Sequence, residues 1–479
     1  MRHRNKKVTG KTGLGIATAF LYVCLMAGCG KDAVLPVPQG DGRSEVSEGK
    51  AEAVSPLPDV QPEPAGKAET SAAQEKFYIY SWDEELAVRL ETVYKVYPEW
   101  RDRIEYTDVG SEELYRAELN RLLQEPEAES YPDMIALGDG FIKEYVNSDD
   151  LLPVTQCGFT EADLSEMYPY TITAAMDQRN HELKGVSWES CPGAFLYRTD
   201  IAEAVLGVKS PEEMQGKVGN WEDFLETARE VKEKSGGTVR LLASCDGLAD
   251  IVMFGRKQPW ITSDGTFHMD EAALEYLDVS YALETEGLAW DTVPGTGEWE
   301  AGFSGNEVLG YFGGADFLHE SVEKNCGGEE TGQGTYGLWN ICPGPVPYCS
   351  GGTWLGATAE CSDKELAGKI MKALCCDSEI LTEIFEETKD YLNHRAVMED
   401  FSHKGKGKLG LLGGQDYIEA FSCSAYGAEA FWKIPYDGKI MELLEAQAAA
   451  LLTGEKDRDK AVSDLKKAVS EAFPEIIVE

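Results

Sequence analysis

The chain of 479 residues carries 44 lysines and arginines against 85 aspartates and glutamates, a formal net charge of −41 at pH 7. Its 43% of hydrophobic residues is typical of globular proteins, and its length allows two or more domains. A surface this acidic repels nucleic-acid phosphates and anionic lipid headgroups, so we expect neither nucleic-acid binding nor electrostatic adsorption to a membrane.

The first 28 residues have the composition of an export signal. A basic head precedes an apolar run at positions 14–28, which as a helix would rise only about 22 Å and would not span a hydrocarbon core of about 30 Å. The sequence LMAGC at positions 25–29 resembles the bacterial lipobox, which implies that signal cleavage leaves a lipid-modified Cys29 as the new N-terminus. The alternative is an ordinary secretory signal with Cys29 near the cleavage point by chance.

Residues 29–75 are predicted to form a disordered tether. They contain six prolines and no aromatic residue, and such a segment cannot bury enough apolar surface to offset the entropy of ordering. Because two acyl chains give stable anchoring, a folded module on this tether would stay close to a membrane.

The twelve cysteines show no spacing that specifies disulfides. There is no CxxC motif, which argues against a zinc ribbon or a thioredoxin-like site, and we expect no metal and no cofactor. The ten cysteines beyond the signal and Cys29 are either buried free thiols or partners in disulfides that export would permit.

From Lys76 onward, strand patterns alternate with helix patterns. Strands are predicted at 77–82, 103–110 and 131–138, with helices at 111–124 and 140–147. The helix over 111–124 has Ser111 as its N-cap and an apolar side predicted to consist of Leu114, Leu119, Leu122 and Leu123. This alternation favours an α/β fold with a doubly wound, mostly parallel sheet.

A second block repeats the pattern, with strands predicted at 193–201 and 238–244 and a helix at 220–237. Two α/β blocks of similar weight suggest two lobes around a cleft, which is the usual place for a ligand.

Seven stretches together resemble the bacterial family 1 extracellular solute-binding proteins, the carbohydrate receptors of ABC importers. The first is YPDMIALGDGFIKEYVNSDDLLPV, and the others follow it in order and spacing at 188–207, 220–231, 257–267, 309–318, 351–374 and 452–469. The resemblance covers about 76–479. It implies a two-lobed, periplasmic-binding-protein-like type II fold with a hinge and an interlobe ligand cleft.

The resemblance also implies a domain organisation and a function. Residues 1–28 would be the signal, 29–75 the lipidated tether, 76–188 with 336–392 lobe one, and 189–335 with 393–479 lobe two. The protein would be a monomer, anchored on the extracellular face of the cytoplasmic membrane as in Gram-positive bacteria. It would capture a carbohydrate, in particular an oligosaccharide, by hinge closure and deliver it to membrane permease subunits.

Ligand contacts are predicted at aromatic and polar residues near strand ends, because sugars offer an apolar face and a rim of hydroxyl groups. The candidates are Trp82, Asp83, Asp139, Trp188, Glu189, Trp260, Asp316, Trp354, Tyr426 and Trp432. The alternative for the rings is core or hinge packing, and for Asp139 and Asp316 it is helix capping. Trp354→Ala is predicted to weaken sugar binding by roughly 1–3 kcal/mol with little loss of stability.

Other functions stay open. A surface-anchored glycoside hydrolase needs two carboxylates about 5–9.5 Å apart, which a chain this acidic offers by chance, and no HExxH or GxSxG motif is present. A receptor for a sensor or for adhesion would share the fold. A cationic solute would suit an aromatic and acidic box of Trp82, Asp83, Asp139 and Trp354. We expect a binding protein rather than an enzyme.

Overall fold

The computed structural model describes residues 75–478. Residues 1–74 and Glu479 lie outside this range, and with them the predicted signal, Cys29 and all but the last residue of the tether. No helix within the described range combines the length and the apolar character needed to cross a membrane.

Nine strands in the described range form two sheets, which define two lobes. The first sheet has the order β2-β1-β3-β9-β4 and the second the order β6-β7-β5-β8. The strands are β1 Phe77–Ser81, β2 Ile104–Asp108, β3 Met134–Gly138, β4 Val186–Ser187, β5 Gly193–Arg198, β6 Arg240–Leu242, β7 Val308–Gly314, β8 Trp339–Cys342 and β9 Thr353–Ala357. The five strands predicted from the sequence are all present, each shorter than its predicted segment.

The strand directions correct the prediction of mostly parallel sheets. β1 pairs in parallel with β2 and β3, and β6 pairs in parallel with β7. The other four pairings are antiparallel, and each involves β5 or β9. These are the two strands that the chain enters directly after crossing from one sheet to the other, so their direction follows from the crossing and is not visible in the sequence pattern.

Helices cover the faces of both sheets. In the first half of the chain they are α1 Glu85–Val96, α2 Glu112–Leu122, α3 Ile142–Val146, α4 Glu161–Leu164, α5 Pro169–Ala174, α6 Thr199–Leu206, α7 Pro211–Val218 and α8 Trp221–Lys234. They continue with α9 Leu248–Met253, α10 Glu271–Thr285, α11 Gly297–Ser304, α12 Ala315–Phe317, α13 Lys364–Cys375, α14 Ser378–Thr388, α15 Arg395–His403, α16 Tyr417–Gly427, α17 Asp437–Leu452 and α18 Arg458–Ala472. Short 3₁₀ helices lie at Pro98–Trp100, Val154–Cys157 and Gly410–Leu412, and a π-helix at Leu318–Glu323.

The helix α2 shows how the local sequence determines an element and where a simple pattern fails. Ser111 caps it as predicted, because its hydroxyl accepts from the Leu114 amide at 3.3 Å. The predicted apolar side is partly wrong, since Leu114 is 61% exposed. Tyr115 is buried instead, and its hydroxyl donates to the carbonyl of Ala136 in β3 at 2.7 Å.

Two crossing segments join the sheets side by side. Residues 188–192 lead from β4 to β5, and residues 343–352 lead from β8 to β9. Pro192 and Cys349 pair in an antiparallel bridge, so the two segments hold each other. Because β8 belongs to the second sheet, the chain returns to the first sheet after Cys342, later than the expected boundary at 336.

A third segment, residues 428–436, also runs between the lobes. It follows α16, which packs against α5 as well as β5 and β8, and it leads into α17, which packs against α10. The Ala430 amide donates to the hydroxyl of Thr173 in α5 at 2.8 Å. The segment is therefore fastened to the first lobe, while the helices on either side of it also pack against second-lobe elements.

Cysteines in the described range include several buried free thiols. These are Cys157, Cys326, Cys342, Cys349, Cys361 and Cys375. Their positions fit the alternative in which buried cysteines act as small apolar side chains.

Candidate ligand-binding cleft

A cleft of about 1080 Å³ lies between the two lobes and is lined by residues from both. Its first-lobe side is formed where β1 and β3 end and where β9 begins. Its second-lobe side includes α9, the start of α12 and residues 432–442. In open α/β sheets a ligand sits beyond the carboxyl ends of the strands, and this cleft occupies that place.

Aromatic rings form part of the first-lobe wall. Trp82 follows β1, is half-buried, and contacts Tyr115 and Phe141 with ring centroids 5.5 and 5.6 Å away. Gly138 at the end of β3 makes room for these rings, because a Cβ there would lie 2.8 Å from Phe141 and 3.3 Å from Trp82. Both rings border the cleft, but Phe141 is only 1% exposed, so it is the half-buried Trp82 that offers apolar contact area to a ligand.

Two acidic residues beside these rings already have protein partners. The Asp83 carboxylate accepts from the Glu85 amide at 3.0 Å, just before α1, and burial raises the pKa of Asp83. Asp139 forms an ion pair with Lys433 and accepts from the Tyr170 hydroxyl at 2.5 Å. A ligand at Asp139 would share a carboxylate with Lys433 instead of meeting a bare charge.

A buried arginine organises the middle of the first-lobe wall. Arg89 is only 3% exposed and forms ion pairs with Asp390 and, at 2.8 Å, with Glu85. Its guanidinium also lies 5.1 Å from the centroid of the Trp188 ring, and the Trp188 indole donates to Glu85 at 3.1 Å. The Nε atom of Arg89 has no hydrogen-bond partner among the described residues. The wall thus presents charge-assisted donors and acceptors from one connected network.

Three carboxylates crowd this network. One oxygen each of Glu85, Glu189 and Asp390 lie within 4.8 Å of one another, a spacing that could hold a metal ion. Burial, together with the Glu85 carboxylate, raises the pKa of Glu189 well above its usual range. Because Arg89 already contributes positive charge at this point, the group suits hydroxyl donors better than a metal cation.

The second-lobe wall has its own arginine and its own rings. Arg256 is buried between Trp432 and Trp260, with its guanidinium 4.1 and 5.0 Å from their ring centroids, and forms an ion pair with Asp437 at 2.5 Å. Phe254 contacts Trp432 edge to face at 5.1 Å. Both Phe254 and Trp432 line the cleft.

A smaller cavity of about 290 Å³, which we call the side chamber, opens in the second lobe next to the cleft. The two share Asp316 and Glu320 as lining residues. The chamber lies where β6 ends and along β7, and its aromatic walls are Trp299, Tyr311, Phe312 and Phe317.

The cleft carries a large excess of negative charge. Thirteen acidic and six basic side chains line it among the described residues. Five of the basic groups are ion-paired with carboxylates that also line the cleft, namely Arg89, Arg116, Arg256, Lys433 and Lys439. The sixth, Lys143, is buried, donates to the carbonyls of Thr173 and Met176, and has a pKa lowered by burial to about 8. The cations of the cleft therefore have partners, and carboxylates remain in excess.

The structure brings six of the ten predicted ligand residues to the cleft. These are Trp82, Asp83, Asp139, Glu189, Asp316 and Trp432. Asp139 does not cap the next helix, since α3 begins after Phe141 without a side-chain cap.

The other four predicted residues do not line the cleft, which corrects their assignment. Trp188, Trp260 and Trp354 are at most 1% exposed, because each ring packs within a lobe. The Trp354 indole donates to the Thr171 carbonyl at 2.8 Å, and β9 is buried along its whole length. Tyr426 is 42% exposed but lies elsewhere, where its ring packs on Tyr168 and its hydroxyl donates to Glu399.

Sequence reasoning missed several cleft residues. They include Glu85, Arg89, Phe141, Phe254, Arg256, Asp390 and Lys433. Glu85 and Arg89 lie one helical turn apart, a spacing that the sequence does show. Asp390 and Lys433 come from distant parts of the chain, and no local signal connects them to this site.

Two sheets joined by crossing segments around one cleft define the class of two-lobed, periplasmic-binding-protein-like receptors. The sequence profile of the family described as "Bacterial extracellular solute-binding protein" matches residues 90–374, more than half of the chain. The chain belongs to this family.

Solved structures share the fold. An extracellular solute-binding protein of family 1 superposes with a TM-score of 0.68 at 15% identity, covering 83% of this chain and 99% of that one. The sugar-binding protein MalE of Xanthomonas citri gives 0.67 at 16% identity, with 83% and 96% covered. The galacto-N-biose/lacto-N-biose I-binding protein of Bifidobacterium longum gives 0.62 at 14% identity, with 86% and 100% covered.

A curated relative matches over a shorter stretch. The lactose-binding protein of Rhizobium radiobacter is 30% identical over 161 residues, which are 33% of this chain. The match spans about a third of the relative's own length, 35%. These comparisons establish an extracellular solute-binding family whose structural neighbours include sugar-binding proteins.

Proposed function

We propose that this protein is the extracellular substrate-binding component of an ABC importer and that its ligand is a carbohydrate, in particular an oligosaccharide. The observation that carries the proposal is the interlobe cleft of about 1080 Å³ in a member of a solute-binding family. Its volume is at the upper end of the range for small-molecule sites and leaves space for more than one sugar ring.

The lining of the cleft supports a saccharide. Trp82 on one side and the accessible edges of Phe254 and Trp432 on the other provide apolar surfaces for the C–H faces of sugar rings. The network around Arg89 provides carboxylate acceptors and guanidinium donors for the hydroxyl rim. Several of the similar proteins are named as binders of sugars, which agrees with this choice of ligand.

The mechanism we propose is capture by hinge closure. A ligand first binds one lobe of the open form, and rotation about the crossing segments 188–192 and 343–352 buries it against the other lobe. The closed form then docks on membrane permease subunits, which would take up the ligand. In this proposal the protein is a monomer and catalyses no reaction. Its two lobes divide the chain close to the boundaries predicted from the sequence.

Membrane anchoring is a separate part of the proposal. It rests on the sequence LMAGC at 25–29 and on the tether to residue 75. Lipid attachment at Cys29 would hold the receptor on the outer face of the cytoplasmic membrane. Replacement Cys29→Ala should release the protein from the membrane fraction, and labelling with a palmitate analogue should then be lost.

A binding screen tests the main proposal. The purified protein is mixed with neutral mono- and oligosaccharides, amino acids and polyamines, and its thermal unfolding is recorded. A ligand at 100 times its dissociation constant stabilises the folded state by about 2.7 kcal/mol, which gives a clear shift. We expect a shift with one saccharide series and no product after prolonged incubation.

Two results would contradict this proposal. Sugar hydrolysis in the same mixtures would show an enzyme, and a shift with amino acids alone would show a receptor for another solute. Small-angle scattering with and without the bound sugar provides a check on the mechanism, since hinge closure must reduce the radius of gyration.

A further inference from the structure

The side chamber has a lining that differs from the rest of the binding region. Trp299, Tyr311 and Phe317 meet there nearly at right angles or tilted, with ring centroids 5.6–6.1 Å apart. Trp299 and Phe317 are half-buried, so part of each ring remains accessible. At about 290 Å³ the chamber has room for one sugar-sized unit or a substituted ammonium group.

The polar groups of the chamber are mainly acceptors. Three carboxylates line it, from Asp246, Asp316 and Glu320, together with the hydroxyl groups of serines and Tyr311. No lysine, arginine, histidine, asparagine or glutamine is among its described lining residues, and the Trp299 indole carries the one side-chain N–H. Glu320 pairs with Lys324, which lies outside the chamber lining.

This distribution matches one kind of ligand group. A neutral sugar hydroxyl both donates and accepts hydrogen bonds, whereas an ammonium group donates three and accepts none. Aromatic rings with nearby carboxylates attract a cation through the ring quadrupole and through charge. The excess of carboxylates in the adjoining cleft also favours a cationic ligand, because the basic groups of the cleft already have partners.

We propose that the side chamber binds an ammonium group and that the solute carried in the cleft is therefore a cationic, amine-bearing saccharide. This inference rests on the proposed function, since the chamber shares Asp316 and Glu320 with the cleft and would take one end of the same ligand. The saccharide part lies along the aromatic and hydroxyl-binding surfaces of the cleft, and its amine enters the chamber between Trp299 and Asp246.

Matched pairs of sugars test the inference by titration calorimetry. The purified protein is titrated with glucosamine, galactosamine and the glucosamine disaccharide, and with the N-acetylated form of each, at a pH where the amines are protonated. N-acetylation removes the charge and keeps the sugar skeleton. In at least one pair we expect the protonated amine sugar to bind at least about tenfold more tightly than its N-acetylated form. This is in line with a cation–π contact supported by carboxylates.

Variants locate the effect within the chamber. Asp246→Asn and Trp299→Ala should each abolish most of that preference, and the exposed position of Asp246 makes its variant safe for folding. Trp290→Ala is the matched control, because Trp290 is a partly exposed ring nearby that does not line the chamber. Tetramethylammonium chloride serves as a probe of the chamber alone.

The outcomes separate the two proposals. The ammonium site would be overturned if the neutral N-acetylated sugars bound as tightly as the amine forms, or if the preference for the amine form persisted in both chamber variants. Either result would still be consistent with a sugar receptor. Binding of tetramethylammonium with no saccharide bound would keep the chamber and overturn the sugar receptor. No binding of any sugar or amine would count against both.

Discussion

The two sides of the binding region differ in how their charged and aromatic groups are arranged. On the first lobe, Arg89 forms ion pairs with Glu85 and Asp390, and buried tryptophans lie behind the wall. On the second lobe, the side chamber combines accessible rings with acceptor groups and has no basic residue among its described lining residues.

This difference indicates a division of roles. A ligand that binds the first wall exchanges hydrogen bonds that already exist, so the net gain per contact is modest. A ligand group that enters the side chamber meets three carboxylates and no basic residue among the chamber's described lining residues, so under our proposal the chamber has the greater influence on which solute is selected.

The largest expected effect on stability comes from removing a buried ring behind the first-lobe wall of the cleft. Trp354→Ala should lower the free energy of unfolding by about 4 kcal/mol, because the ring is fully buried and its indole bonds the Thr171 carbonyl. Urea denaturation measures this. The expectation from sequence alone, weaker sugar binding with little loss of stability, is thereby reversed.

Trp82→Ala is the matched control for that experiment. Trp82 is half-buried and lines the cleft, so its loss should weaken saccharide binding by roughly 1–3 kcal/mol and reduce stability much less than the loss of Trp354. If Trp354→Ala left stability unchanged and removed binding, the buried position of that ring would be wrong.

The next effect concerns the ion-pair network itself. Arg89→Met should destabilise the protein by about 3 kcal/mol, because it leaves Glu85, Glu189 and Asp390 crowded without their buried cation. Chemical denaturation at neutral pH gives the value.

Lys95→Met on the same helix provides the comparison for Arg89. Lys95 is 49% exposed and pairs with Glu383 and Glu387 on α14, so its replacement should change stability by no more than about 0.5 kcal/mol. If the two variants changed the free energy of unfolding equally, the buried ion pairs of Arg89 would contribute no more to stability than the exposed ion pairs of Lys95.

The smallest expected effect is a change of stability with pH, caused by one histidine. Burial lowers the pKa of His394 below 6.5, with Glu166 acting in the opposite direction and Arg395 in the same direction. The unfolded chain then binds more protons, so stability falls as pH drops from about 6.5 through the folded-state pKa, and the loss is absent at higher pH. Neutral His394 also caps α15, because its Nδ1 accepts from the Val397 amide at 3.4 Å.

His394→Asn should keep a cap and remove this titration, so the stability of the variant should fall less than that of the wild type between about pH 8 and about pH 5. His394→Ala should lose the cap at both pH values. Urea denaturation of the three proteins at the two pH values distinguishes them, and a wild-type profile no steeper than that of the asparagine variant would contradict the assignment.

The sequence predicts elements well where local physics determines them. The cap at Ser111 and the strands β1, β3 and β5 follow from side-chain type and short-range pattern. Strand direction does not follow, because it depends on where the chain crosses between the sheets.

The site is predictable only in part for a related reason. Trp82 and Asp316 follow strand ends, and position along the chain was enough to place them in the cleft. Trp354 has the same kind of sequence surroundings but lies in a strand that is covered on both faces, and no local signal reports that second cover. Lys433 reaches Asp139 from 294 residues away, which no local pattern encodes.

The three segments between the lobes have a mechanical consequence. A body held at a single point can turn about any axis, whereas one held by several connections side by side can turn easily only about the line through them. In the proposed hinge closure, residues 188–192, 343–352 and 428–436 would therefore restrict the lobes to a single easy rotation. The facing groups of the two walls would then meet in the same register at each proposed closure, so selectivity would not depend on the path of closure.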